Sequence, residues 1–237
     1  MSEYHIVQIG CGGTGGYLVP PLSKFMSHLP PNIKATYVIV DGDIVEERNV
    51  LRQNFTKSDI GKNKAQVLGE RYEVEALDIF VGDAALPFII NSSLNTINII
   101  VGCVDKVEVR LELIKSIKKL VTKYNYSFIY VDAGNFVSNG QVLVETFNLP
   151  EEVRQHVQSV DIASVFKGKE AEDTRTPTCS VMGDQSILAN FNAALHLYNI
   201  ITTIVGTNEI ITSKIVFTKN TVETNTNLSQ ALLMGII

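Results

Sequence analysis

The fold turns on Tyr4-His5-Ile6-Val7-Gln8-Ile9-Gly10-Cys11-Gly12-Gly13-Thr14-Gly15-Gly16. An apolar run long enough for one strand passes directly into a glycine-rich turn, and a helical stretch follows. Glycines at such a turn let backbone N–H groups approach phosphate oxygens, and the positive end of the next helix faces the same place. Gly10-x-Gly12-x-x-Gly15, with Gly13 beside it, is therefore the candidate nucleotide cradle. Alone the pattern is weak, since a tight turn without a ligand reads the same way. Its place between a strand and a helix strengthens it.

The next informative stretch is Val40-Asp41-Gly42-Asp43-Ile44-Val45-Glu46-Glu47-Arg48-Asn49-Val50-Leu51-Arg52-Gln53. It reads as a second strand ending in carboxylates, followed by a polar segment. An acid at the end of the second strand suits ribose hydroxyls. Arg52 and Asn49 just beyond it are unusual for plain cofactor binding, and suggest electrostatic help for chemistry at phosphate.

Further strands are expected at Tyr4–Ile9, Ala35–Asp41, Leu77–Val81, Ile97–Val104 and Phe128–Asp132. Helical segments lie between them. The clearest is Lys106–Tyr124, with Val109, Leu113, Ile117 and Leu120 at helical spacing, and Lys62–Tyr72 is another. This alternation predicts an α/β fold with a Rossmann-type, doubly wound, mostly parallel sheet. Pro20-Pro21 is expected to kink or interrupt the first helix. After Gly140 the rhythm changes: a strand at Gln141–Phe147, a polar crossover segment over Asn148–Thr178, a long helix at Ser186–Val205, and a terminal hairpin whose strands flank Lys219-Asn220. These last elements predict a C-terminal antiparallel extension. The chain reads as one unit, with residues 1–135 the nucleotide-binding half and 136–237 the remainder.

Composition narrows the function. The chain has 237 residues, 45% of them apolar, enough for a substantial core. A net charge of −5 argues against a nucleic-acid-binding surface. Cys11, Cys103 and Cys179 form no C-x-x-C pair, so neither a disulfide framework nor a cysteine-rich zinc site is expected. There is no signal-peptide pattern and no apolar run of membrane-spanning length, which leads to the expectation of a cytoplasmic protein without a membrane partner.

Taken in order, Asp41-x-Asp43, Asn49-x-x-Arg52-Gln53, Gly61-x-x-Lys64 and Val101-Gly102-Cys103-Val104-Asp105 resemble the ThiF/MoeB/HesA family, relatives of the ubiquitin-activating enzymes. The likeness covers residues 4 to about 135 and resumes at Thr178-Cys179-Ser180-Val181-Met182-Gly183. Pro177-Thr178-Cys179-Ser180 looks most like the ThiF branch of the plasmid-borne PRTRC system. The resemblance implies adenylation, with MgATP, of the C-terminal carboxylate of a small ubiquitin-like (β-grasp) protein, by a homodimer. Under it, Arg52 and Lys64 hold the phosphates and the transition state, Asn49 orients a phosphate oxygen, and Gln53 supports that shell. Asp41, with Asp43 near it, serves the ribose, and Asp105 holds Mg²⁺. Cys179 is the candidate nucleophile for onward transfer; its rival role is a buried small residue.

Each of these residues also has a plain structural reading: Asp in turns, surface cations, and Asp105 as a helix N-cap. Arg110 reads as a partner for a strand-end carboxylate. The sequence departs from the family in lacking zinc-binding C-x-x-C pairs and an Arg ahead of the first strand, for which Arg48 is a candidate substitute. It also carries Gly102 and Lys106 where the family often has Asp and Asn. Two alternatives stay open: an NAD-dependent oxidoreductase, and a catalytically idle binding subunit. The apolar tail Leu228–Ile237 is expected to need cover, from its own chain or a second copy.

Overall fold

Tyr4 and Ile6 alternate with Val7 and Ile9 between two separate apolar clusters, and that alternation sets the layers of the molecule. The computed structural model describes residues 3–82, 85–135, 139–167, 187–218, 220–227 and 229–230. In chain order the elements are β1 (Glu3–Ile9), α1 (Gly13–Ser27), β2 (Lys34–Val40), α2 (Glu47–Val50), α3 (Lys64–Tyr72), β3 (Glu75–Leu77), α4 (Leu86–Ile89), β4 (Thr96–Gly102) and α5 (Val107–Tyr124). They continue with β5 (Ser127–Asn135), β6 (Gly140–Phe147), β7 (Arg154–Gln155), α6 (Ile162–Phe166), α7 (Ile187–Thr207), β8 (Glu209–Ile210), β9 (Thr212–Phe217) and β10 (Val222–Thr226).

Eight strands form one sheet in the order β10-β9-β6-β5-β4-β1-β2-β3. The pairs from β5 through β3 are parallel, and those joining β5, β6, β9 and β10 are antiparallel. This is the doubly wound sheet with a C-terminal antiparallel extension. One face packs Ile6, Ile39, Ile99 and Val131 against Leu18 and Leu22 of α1, Leu68 of α3 and Leu197 and Ile201 of α7. The other packs Val7, Val38, Ile100 and Tyr130 against Leu86 of α4, Leu113 and Ile117 of α5 and Ile162 of α6. Every residue of β4 is buried, as expected for a central strand covered on both faces. Each buried aliphatic side chain contributes roughly 1.5–3 kcal/mol by leaving water. No helix among the described residues is long and apolar enough to cross a membrane.

Three expectations need correction. The third strand is Glu75–Leu77, because its three residues pair with Val38–Val40; beyond Leu77 there is no partner left along β2. Pro20 and Pro21 lie inside an uninterrupted α1. A proline at position 20 withholds the N–H that the Gly16 carbonyl would accept. Asn54 replaces it: its Nδ2 donates to Gly16 O at 3.0 Å. The third helix starts at Lys64, two residues later than its periodicity implies, because Asn63 caps it by accepting from the Gln66 amide at 3.0 Å. The crossover segment is partly helical, with α6 packed near α5, and its β7 pairs with β8 in a small second sheet. Its remainder, residues 168–186, lies outside the described residues, and Cys179 with it. Most of the apolar tail, Leu228 and residues 231–237, is likewise outside them.

Candidate active site

In the strand order, connections leaving β1 run toward β3, whereas β4 and β5 lie on its other side. Ligands of open α/β sheets bind beyond the carboxyl ends of the strands at such a switch point. Here that crevice lies between the ends of β1 and β4. The glycine turn follows β1, and the segment reaching Asp105 follows β4. A hollow of about 110 Å³ at the opposite end of the sheet, lined by Tyr4, Asn32 and Asn208, is too small for a nucleotide.

The turn is held by close backbone approach. Gly10 has φ +99°, and a Cβ there would sit 2.5 Å from the Cys103 carbonyl oxygen. A Cβ on Gly15 would lie 2.0 Å from Gly10 O, so only glycine lets the chain fold over itself. Beneath it, the fully buried Gln8 donates from Nε2 to Gly10 O at 3.0 Å and to Gly15 O at 3.1 Å, while Tyr37 donates to its Oε1 at 2.6 Å. Helix α1 begins with Gly12 at its N-cap, with no side-chain cap and no acid in its first turn. Its leading N–H groups and positive end are thus available to an anion. Gln53 overhangs the turn, with Nε2 3.7 Å from where a Gly12 Cβ would be. Its buried Oε1 has no hydrogen-bond partner among the described residues. On the other side, the Asn190 amide fills the space beside Gly13.

The polar residues after β2 mainly fix backbone. Asp41 accepts from the Cys11 amide at 2.6 Å and from the Asp43 amide at 2.8 Å. Burial pushes its carboxyl upward in pKa, and those N–H groups and Lys64 only partly oppose the shift. Lys64 is buried, and its ammonium pairs with Asp43 at 2.9 Å. Asn63 Nδ2 reaches Asp41 O at 2.8 Å, Asp43 O at 3.1 Å and Asp78 Oδ1 at 2.6 Å, tying β2, α3 and the end of β3 together. Asn49 is buried and accepts from the Glu46 amide at 2.8 Å in a capping box at the start of α2. Arg52 is half-buried on the same segment. Arg48, the candidate substitute for the family's leading Arg, pairs with Glu46 on the surface.

Across the crevice, Asp105 is exposed. It precedes Lys106, the N-cap residue of α5, and no side chain caps that helix, so the capping role proposed for Asp105 is not what it does. The loop that carries it is gripped from below. Arg110 is buried, pairs with Asp132 at 2.9 Å, and donates to Val104 O and Ala133 O. Burial works against the guanidinium charge, but Asp132 and Tyr130 hold it more firmly than usual. The partner expected for Arg110, a strand-end carboxylate, is therefore Asp132. Gly102 has a matching reason: a Cβ there would sit 2.7 Å from Tyr130 Oη and 2.8 Å from Asp132 Oδ1. Gly102 and Asp132 are register neighbours, so the carboxylate stands on the adjacent strand.

Cys11 and Cys103 are poor nucleophiles. Burial raises both thiols well above their ordinary pKa, and Asp41 and Asp132 respectively add to the effect. Among the described residues no three His, Cys, Asp or Glu side chains gather as a metal site. Sequence reasoning passed over Gln8, Asn54, Asn63 and Asp132. A glutamine inside an apolar parallel strand and an asparagine directly before a helix were the available signals for two of them.

The model of the ThiF family matches residues 1–232. A search of curated proteins gives no match. Among solved structures, E. coli MccB has a TM-score of 0.62 at 16% identity, with 94% of this chain and 62% of that one covered. E. coli MccB with ATP gives 0.61 at 16% identity, covering 94% and 62%. PaaA gives 0.59 at 16% identity, covering 94% and 64%. The chain thus spans somewhat less than two thirds of these structures, and at such identity the likeness is one of fold.

Proposed function

The chain belongs to the ThiF family, and from that premise we propose that it adenylates the C-terminal carboxylate of a small ubiquitin-like protein of the β-grasp kind, with ATP as second substrate. The observation that carries this reading is the pairing, at one switch point, of an uncapped glycine-turn helix with an exposed Asp105. The turn fits a polyphosphate: its glycines leave no Cβ in the way, and the buried Gln53 Oε1 beside it lacks a partner among the described residues. The reading is further supported by E. coli MccB having been solved with ATP on the same fold.

In the reaction, a carboxylate oxygen of the partner attacks the α-phosphorus, the bond to the bridging oxygen of pyrophosphate breaks, and an acyl-adenylate forms. Catalysis of this kind is mostly alignment and charge neutralisation. The first-turn amides of α1 receive phosphate oxygens. Lys64 gives one N–H to Asp43, which orients its ammonium, and an ammonium has three. Arg52 meets the charge that develops on the leaving group, and Asn49 and Gln53 shape that wall. Asp41 braces the turn through Cys11 and offers its remaining lone pairs to the ribose. The donor set also fits magnesium, which takes one or two carboxylates together with phosphate oxygens and water. Asp105 would hold it, and the ion would neutralise charge on pyrophosphate. Transfer through Cys179 and pairing with a second copy belong to the same proposal.

Calorimetry of the full chain with MgATP and with NAD tests it. ATP is expected to bind and NAD to be silent, because Arg52 and Lys64 serve phosphates that hydride transfer does not alter. Tight NAD binding with silent ATP would replace this reading with an oxidoreductase.

A further inference from the structure

Asn190 takes no part in the chemistry above, yet its amide lies against the glycine turn. It stands on α7, whose other buried residues are all aliphatic. That helix runs alongside α1 from the first turn: Asn190 meets Gly13, and Phe191 stacks on Tyr17 with ring centroids 4.1 Å apart. A Cβ on Gly13 would lie 2.7 Å from both Nδ2 and Oδ1 of Asn190 and 2.8 Å from its Cγ, so Gly13 is the notch that admits this amide. Asn190 is 1% exposed. Its two polar atoms are treated unequally. Oδ1 accepts from Nδ2 of Asn135, the last residue of β5. Nδ2 is buried and has no hydrogen-bond partner among the described residues. The Asn135 contact fixes the direction of the amide, because turning Nδ2 toward another group would break it. Buried amides without a partner are costly, and folded proteins keep few of them. An aliphatic side chain would serve this face of α7 better if packing were all the position did.

We propose that Asn190 is a phosphate-binding residue contributed by α7, with Nδ2 donating to an oxygen of the nucleotide phosphates seated on the first-turn amides of α1. This rests on the nucleotide reading above. Gly13 opens α1, and no Cβ of its own stands between that turn and the Asn190 amide. The amide nitrogen only donates and an ionised phosphate oxygen only accepts, so the two fit in one sense. Away from water such a bond is stronger than in solvent. The long helix after the crossover thereby meets the ligand directly, on the flank of the turn opposite Gln53.

The test measures ATP affinity of the full chain by calorimetry, together with the Asn190 side-chain amide signal in nitrogen-15 NMR spectra. Asn190→Ala is expected to weaken ATP about tenfold or more, the scale of one hydrogen bond to a charged group. Asn190→Asp keeps the acceptor for Asn135 but loses the donor and sets a carboxylate toward the phosphates, so its loss should be larger. In the unaltered chain, the amide signal that disappears in either variant should shift when ATP is added, and should shift likewise with inorganic tripolyphosphate. The spectral arm uses the unaltered chain for binding and so survives a variant that folds poorly. ATP affinity equal to the parent's in a folded Asn190→Ala, or an amide signal that ignores both ligands while ATP binds, would make Asn190 a spacer between helices and leave the nucleotide reading intact. An unaltered chain that binds no ATP would overturn both.

Discussion

The two strand ends that face each other across the crevice are built in opposite ways. On the β1–β2 side, many modest polar contacts fix the backbone: Gln8 under the turn, Asp41 on Cys11, Asn63 across three elements, Asn54 on Gly16. On the β4 side, one buried charge pair, Arg110 with Asp132, grips the loop and leaves Asp105 exposed above it. The difference shows that residues of a functional motif do two jobs. Some fix backbone, and fewer are left facing the crevice. Distributed ties should fail gradually and locally, whereas a single buried pair should fail all at once.

The sharpest contrast should come from Arg110→Met. It leaves Asp132 buried without its cation, and breaking such a pair costs roughly 3–5 kcal/mol. Urea unfolding should show a loss of that size, and pairing the change with Asp132→Leu should recover part of it. A loss below about 1 kcal/mol would mean that the β4 side is not organised around this pair.

The next largest effect belongs to the other side. Asp59 is buried; burial raises its pKa, but the Thr56 amide, the Arg71 guanidinium at 2.6 Å and the Thr56 hydroxyl outweigh it, and the carboxyl titrates below its ordinary value. A lowered folded pKa gives stability that is present above the unfolded carboxylate value and lost as pH falls through the folded one. Asp59→Asn should therefore cost roughly 2 kcal/mol at neutral pH, and the two unfolding curves should converge below the usual aspartate range. Curves that stay parallel into acid would contradict the assignment.

The smallest expected effect tests the proline helix. Asn54→Ala removes two hydrogen bonds, to Gly16 O and to Tyr72 Oη, both at 3.0 Å, and should cost about 1–2 kcal/mol. In a Pro20→Ala background, α1 supplies its own N–H to Gly16, and the cost of removing Asn54 should shrink. Equal costs in both backgrounds would remove the compensation from this picture.

These contrasts also explain what the sequence could reveal. The sheet was legible because β1, β2 and β4 are apolar runs with glycine or aspartate at their ends, and α5 has clean helical spacing. The hairpin was legible from two short strand patterns flanking Lys219-Asn220, and the Thr218 hydroxyl closes the turn by accepting from Thr221 N at 3.0 Å. The edge strand β3 was misjudged because three residues at a sheet edge carry too little pattern, and its place is set by what β2 offers. Residue roles at the site were harder. Motif order marked Asp41 and Lys64, but not that the Cys11 and Asp43 amides would engage Asp41, or the Asp43 carboxylate Lys64. Asp132 was hidden because it acts through register, beside a glycine whose lack of a side chain gives no local signal.

The measurement that bears most directly on adenylation is ATP–pyrophosphate exchange in the presence of a β-grasp protein ending in glycine. Exchange is expected with the free C-terminal carboxylate and not with the same partner amidated there. Asp105→Asn should lower it on the order of a hundredfold, the usual cost of removing one preorganised charge at a transition state, while leaving thermal unfolding unchanged because Asp105 is exposed. Exchange that ignores the state of the partner's C-terminus, or that survives Asp105→Asn at full rate, would contradict the proposed chemistry.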